Sequence, residues 1–292
     1  MQTRKSRLLL VSFGSLLCTI VVLVTMLHLR RPPRQAYQAE LFQGVSYTRR
    51  VRDTPRPLVI HLVEIDLQAP GIDFLVTPGD TSSGLELPAR TTSRFAQEFG
   101  VQVAINGSFF RPFRVGYFLF DFYPHTGDPV NVIGLAIANG EAYSVPDQDA
   151  AVLCIGADKA EIRRLDCPPD TTQALAGDRI LVDNGQAVSR DNGALHPRTV
   201  VAVDEAGTRL WLIVVDGRQP GYSEGVTRAE LAETIVSETG AWRALNLDGG
   251  GSSALVIAQG KRVRSLNVPI HKRMPMWQRP VANHLGVYAQ SK

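Results

Sequence analysis

Short apolar runs rich in Val and Ile, two Asn-Gly pairs between apolar stretches, and a scarcity of helical periodicity predict an α+β fold. The expected architecture is mixed, largely antiparallel β-sheets with a few packed helices, preceded by one N-terminal transmembrane helix. The runs Leu58–Leu67, Ile72–Val76, Val101–Ile105, Val132–Ala138, Val152–Ile155, Val200–Val203 and Leu210–Val215 are bounded by Gly, Pro, Asn or Asp and read as strands. Asn139-Gly140 and Asn184-Gly185 are hairpin signals, because a two-residue turn of this type needs positive φ at both positions.

Two segments carry helix signals. Thr92 or Ser93 opens one with Phe95 and Phe99 on a single face, stopped by Gly100. A stronger one begins at Thr227, where Thr227 and Glu230 have capping-box spacing; Leu231, Ala232, Ile235 and Val236 form its apolar stripe, and Gly240 ends it.

At the N-terminus, residues 8–29 are uncharged and apolar, long enough for a span of ~20 residues. Arg4, Lys5 and Arg7 precede them, and Arg30, Arg31 and Arg34 follow. A cleaved signal peptide is the rival reading, but no small-residue cleavage site follows the apolar run directly. The organisation read from this is an anchor or signal sequence at 1–30, a polar linker at 31–43 and a domain at 44–292, placed outside the cytoplasm. Lys and Arg total 31 against 28 Asp and Glu, and the excess lies in those N-terminal clusters, which argues against a nucleic-acid partner. Cys18 sits in the apolar run; Cys154 and Cys167 pair in an oxidising compartment or stand as two separate thiols.

Chemistry concentrates where apolar runs end. Ile105-Asn106-Gly107-Ser108-Phe109-Phe110 offers an amide to orient a hydroxyl over an aromatic floor. Val215-Asp216-Gly217-Arg218 leads through Gly221-Tyr222-Ser223-Glu224-Gly225 into the second helix, supplying Asp216 and Glu224 as carboxylates and Arg218 as a bidentate anion ligand. That segment contains a literal G-x-S-x-G, but a Pro-containing loop separates Ser223 from the preceding strand, so the sharp elbow of a serine hydrolase does not fit. Asn246-Leu247-Asp248-Gly249-Gly250-Gly251-Ser252-Ser253 sets a carboxylate beside glycine amides and two hydroxyls, a cradle for a phosphate that is neither a Walker loop nor a dinucleotide fingerprint. Pro197-Arg198-Thr199 and Arg279-Pro280-Val281 add two guanidinium groups.

Taken in this order, these motifs resemble the phosphodiester glycosidase family over about residues 60–288, in a compact form without Cys-rich extensions. The resemblance implies hydrolysis of a sugar–phosphate diester at the anomeric carbon, outside the cytoplasm. The residues agree with that chemistry. Oxocarbenium character needs a nearby carboxylate, for which Asp248 ranks first, Asp216 second and Glu224 third. The departing phosphate needs charge neutralisation, from Arg198, Arg218, Arg279 and the amides of Gly249, Gly250 and Gly251, with Asn106, Ser252 and Ser253 completing the ligand set. No cofactor is required. Two alternatives stay open: a surface protein that binds anionic glycans without turnover, and a phosphodiesterase in which Asp216, Asp248 and Glu224 hold Mg²⁺ or Ca²⁺.

Overall fold

The structure is a computed structural model that describes residues 18–292 except 20, 23, 24, 149 and 261. The expected membrane span, residues 8–29, lies for the most part outside the described residues. Among those described, no helix is long and apolar enough to cross a membrane.

The chain folds as helix, sheet, sheet, helix. The larger sheet has eight strands, in the spatial order Tyr37–Phe42, Val45–Arg52, Leu58–Asp66, Arg209–Val215, Arg198–Val203, Arg243–Asn246, Arg179–Asp183 and Gln186–Ala187. A second sheet of five strands orders Arg262–Ser265, Leu255–Gln259, Val103–Asn106, His284–Tyr288 and Asp73–Val76. Alternation along each strand divides its side chains between two cores. Leu210, Leu212 and Val214 meet Val103, Ile105, Leu255 and Ile257 of the facing sheet. Their neighbours Trp211, Ile213 and Val215 point the other way, onto helix α2 (Arg228–Thr239), packing with Leu231, Ala232 and Ile235. Helix α1 (Thr92–Phe99) covers the outer face of the second sheet through Phe95 and Ala96. Strands with both faces covered need continuous apolar sequence, which is why these runs show no polar alternation. A third sheet, also of five strands and including Ala151–Ile155 and Gln173–Gly177, extends the shared core through Leu153, Ile155 and Leu175.

Most local signals are realised. Thr227 and Glu230 make the reciprocal capping box, and Gly240 ends α2 at φ 65°. Helix α1 starts with Thr91 as its cap, the Thr91 hydroxyl accepting from the Arg94 amide, one residue before the expected start. Asn139 and Gly140 take φ 53° and 80° between strands Ala136–Ala138 and Glu141–Ser144. Cys154 and Cys167 form a disulfide. Two expectations change. Residues 37–42, read as the end of a linker, form the edge strand of the large sheet, because Tyr37, Ala39 and Phe42 pair with Arg49, Tyr47 and Val45. The sheets are also not mixed: every pairing between named strands among the described residues is antiparallel. Hairpins and long returns connect them rather than helical crossovers.

Candidate active site

The two large sheets meet at one end in a cleft of ≈ 450 Å³. Its floor is the turn that follows strand Arg243–Asn246. Asp248 is locked there from both sides of its own peptide: its amide donates to the Gly107 carbonyl (3.1 Å), and its carbonyl accepts from Asn106 Nδ2 (2.6 Å). Asn106 is fully buried, and its Oδ1 accepts from the Thr199 hydroxyl and the Ala254 amide, both at 3.0 Å. Ser253 Oγ lies 3.0 Å from the same Thr199 hydroxyl and donates to it, since the single Thr199 proton goes to Asn106. Asn106 and Ser253 therefore lie beneath the floor and hold Asp248 in place; their polar groups are already partnered.

Of the three glycine amides expected to face an anion, one is already engaged within the fold. The Gly250 amide is taken by the Pro197 carbonyl at 2.8 Å. What the run also supplies is clearance. A Cβ on Gly251 would stand 2.4 Å from Arg279 Nη2, and one on Gly250 would stand 3.1 Å from Arg218 Nη2. Two guanidinium groups thus lie close against bare backbone, and both are coupled electrostatically to Asp248. Arg279 is fixed by Nε donating to His271 Nδ1 and Nη1 donating to Ser252 Oγ, each at 3.1 Å, with its plane 4.6 Å above the Phe113 ring. Arg218, at φ 58°, pairs Nη2 with His196 Nδ1 at 3.1 Å. Arg198 is buried, with Nε and Nη2 each donating at 3.1 Å, to the Val226 and Ala194 carbonyls. Among the described residues none of these three arginines has a carboxylate within ion-pair distance, so their charge is open to an anion in the cleft.

Burial dominates the electrostatics. It pushes the Asp248 carboxyl up to about 6, against the opposing pull of the Ser252 hydroxyl, Arg279 and the Gly249 amide. The same burial lowers Arg279 and Arg218, the latter also through Arg273, while Asp248 favours the charged form of both. Arg198 is lowered to about 10, again chiefly by burial. His271 falls to about 3 by burial and the neighbouring Arg279, so it is a neutral acceptor. His196 is lowered by burial and then by Arg218, which keeps it neutral near pH 7.

Asp216 and Glu224 are not in this cleft. The Asp216 carboxylate is enclosed, accepting from the Val268 amide (2.9 Å) and Asn267 Nδ2 (3.2 Å), with His61 Nε2 at 3.0 Å; Tyr47 Oη in turn meets His61 Nδ1 at 2.8 Å. This is a satisfied structural network tying together distant strands. Glu224 lies in the loop before α2, where its amide donates to Pro57 and its carbonyl accepts from Arg218. The serine of the G-x-S-x-G is fully buried: Ser223 Oγ donates to the Asp216 carbonyl (2.6 Å) and accepts from the Val59 amide (3.0 Å). Asp216, Asp248 and Glu224 therefore do not converge. Among the described residues no group of three His, Cys, Asp or Glu side chains is arranged to hold a metal ion.

Sequence reasoning passed over several groups that line the cleft: His196, Asn246, Arg228 and Phe113. Asn246 Oδ1 and Arg228 Nε are buried without a partner among the described residues, although Asn246 Nδ2 donates to Asp178 (2.7 Å) and Arg228 pairs with Asp191 (2.6 Å). Of the aromatic pair, Phe109 lines the cleft, whereas Phe110 is buried in a separate core with Leu87 and Val130.

A family model described as phosphodiester glycosidase matches residues 99–288, which contain every residue of this cleft. The chain belongs to the phosphodiester glycosidase family. Solved structures share the fold. The catalytic domain of zebrafish N-acetylglucosamine-1-phosphodiester alpha-N-acetylglucosaminidase, auto-inhibited by its pro-peptide, is 19% identical at a TM-score of 0.57, over 90% of this chain and 85% of that one. A hypothetical protein from Synechocystis gives a TM-score of 0.66 at 16% identity over 89% of this chain, which spans 64% of that protein. A Burkholderia pseudomallei structure described as a "putative exported protein" gives 0.57 at 13% identity, over 88% of this chain and 98% of that one. No curated protein matches.

Proposed function

We propose that this phosphodiester glycosidase-type hydrolase cleaves the glycosyl–phosphate bond of a sugar 1-phosphodiester in envelope or extracellular glycans. The observation that carries the reading is the placement of Asp248. Among the described residues it is the single acid lining a cleft that Arg198, Arg218, Arg228, Lys272, Arg273 and Arg279 also line, and it is coupled electrostatically to Arg279 and Arg218. Glycosidases ordinarily use two carboxyl groups, one to protonate the leaving oxygen. A phosphomonoester leaves readily without that proton, so one carboxylate and a set of guanidinium groups suffice. In the proposed reaction Arg279 and Arg218 grip the phosphate oxygens, and Asp248 faces the anomeric carbon. The C1–O bond breaks with its electron pair on the phosphate oxygen, water adds at C1, and the water proton leaves through Asp248 to solvent. The products are free sugar and a phosphomonoester.

Location outside the cytoplasm is supported by the apolar stretch at residues 8–29 and by the Cys154–Cys167 disulfide. The test is incubation with a sugar 1-phosphodiester and identification of the products. Sugar plus phosphomonoester supports the reading, and sugar 1-phosphate contradicts it. Binding with no turnover would instead favour an anionic-glycan receptor.

A further inference from the structure

The tip of the hairpin at residues 110–123 is not explained by the cleft chemistry. Strands Arg114–Val115 and Phe122–Tyr123 pair, and the tip is closed by Gly116 donating to the Asp121 carbonyl at 2.7 Å. On that tip Tyr117 is 104% exposed, Phe118 80%, Phe120 73% and Leu119 42%. Three aromatics and a leucine on one projecting turn form the kind of apolar patch that marks a contact surface. The tip is not a loose end, because Lys272 Nζ donates to the Gly116 carbonyl at 2.7 Å.

We propose that this tip inserts into an anionic lipid bilayer, and that the phosphodiester cut in the cleft is one whose alcohol carries a lipid chain. The second part rests on the hydrolase reading above; the first does not. Three features favour a bilayer over a protein partner. Cations ring the base of the apolar tip: Arg114 on the hairpin, with Lys272 and Arg273 beneath, against one acid, Asp121. An apolar tip above a cationic collar matches the layering of acyl chains and anionic headgroups.

The second feature is convergence. The Trp277 ring stands 6.1 Å from that of Phe120, and Trp277 also lines a groove with Leu27, Arg30 and Arg31. The end of the uncharged N-terminal stretch and the hairpin tip therefore leave the domain beside the same side chain. An indole between two apolar elements is also the residue expected at headgroup level.

The third is continuity with the cleft. Phe113 and Val115, on the first arm of the hairpin, form part of its wall, and Phe113 lies under the Arg279 guanidinium. A bilayer meeting the tip presents its phosphates to the mouth that contains Arg279 and Arg218. Cleavage then releases free sugar to water and leaves the lipid as a phosphomonoester in the membrane.

The test uses the full chain in vesicles of phosphatidylcholine and phosphatidylglycerol, made with or without acyl-chain bromination. A Phe118→Trp variant should gain fluorescence over the native chain that brominated lipid quenches at least twofold. Because the N-terminal stretch emerges nearby and could tether the domain, the quenching should be lost when Tyr117→Asp and Phe120→Asp are added to the Phe118→Trp chain; absence of quenching, or quenching unchanged by those two substitutions, overturns the proposal. In parallel, Tyr117→Asp combined with Phe118→Asp should lower kcat/KM at least tenfold on a lipid-borne sugar phosphodiester and leave it unchanged on a soluble one. Equal loss on both substrates overturns the proposal in favour of a structural role for the tip. Concentration-dependent dimers that the double variant abolishes, without lipid quenching, overturn it in favour of a second copy of the chain. Quenching with no turnover of either diester upholds the docking and overturns the hydrolase reading.

Discussion

Replacing Asp248 with Asn should make the protein more stable at neutral pH while removing its turnover. The Asp248 carboxyl is raised from the ordinary 3.8 to about 6, mainly by burial, so its ionised form is disfavoured in the folded state. The proton is held more tightly in the folded chain than in the unfolded one. The stabilising contribution is therefore fully present below pH 3.8 and is lost as the pH rises through about 6. At ~1.36 kcal/mol per tenfold change in proton affinity, the ionised carboxylate costs the fold roughly 3 kcal/mol at pH 8. The side chain opens onto a wet cleft, and Asn retains one acceptor for the Ser252 hydroxyl or the Gly249 amide, so about half of that is the realistic gain. For a domain of this size that is about 3–6 °C in Tm. The assay is thermal unfolding of both proteins from pH 4 to pH 8, with turnover measured on the same samples. A Tm gain that grows with pH, together with lost activity, is expected. No gain at pH 8, or an equal gain at pH 4, would refute the argument that burial of a charge is what the site tolerates for function.

Other outcomes follow from the same geometry. Asp216→Asn places an amide donor against the Val268 amide and Asn267 Nδ2, and should cost about 2–3 kcal/mol in urea unfolding, with kcat retained in the folded fraction. Ser223→Ala should behave alike, losing stability by roughly 1–3 kcal/mol but not activity, as steady-state kinetics on the purified variant would show. Gly251→Ala intrudes on Arg279 Nη2 and should raise KM for a phosphodiester by roughly tenfold or more, the value of one charge-assisted hydrogen bond, with little change in Tm. The pH profile of kcat/KM should rise through a single step near 6 as Asp248 ionises and stay level to pH 8; a falling limb near neutrality would point to a general acid that the cleft does not show. Reduction of Cys154–Cys167, which closes a short loop of sequence separation 13, should lower stability by about 3 kcal/mol if loop entropy governs.

Much of the fold was legible because its determinants are local. The Thr227–Glu230 box and both Asn-Gly turns depend on a few adjacent residues and override little else. The Asp248 turn was legible for a related reason: a carboxylate followed by three glycines has few purely structural uses. What sequence did not disclose was direction. Asp216 and Asp248 both follow apolar strands, yet one closes a buried Tyr47–His61–Asp216 chain and the other opens into the cleft. That difference is set by partners more than 150 residues away, such as His61, in the middle of an apolar run where nothing marks it as a ligand for a carboxylate. A second use of the glycine run was hidden for a similar reason. Its use as clearance for Arg218 and Arg279 depends on side chains from two other loops. The edge strand Tyr37–Phe42 is short and polar, and only its pairing with Val45–Arg52 gives it a structure.

The central claim, that the bond broken is the one between the anomeric carbon and oxygen beside Asp248, is tested most directly by hydrolysing a sugar 1-phosphodiester in ¹⁸O-labelled water. Label recovered in the sugar, with an unlabelled phosphomonoester, is the expected result. Label recovered in the phosphate would place the attack at phosphorus and remove the role assigned to Asp248.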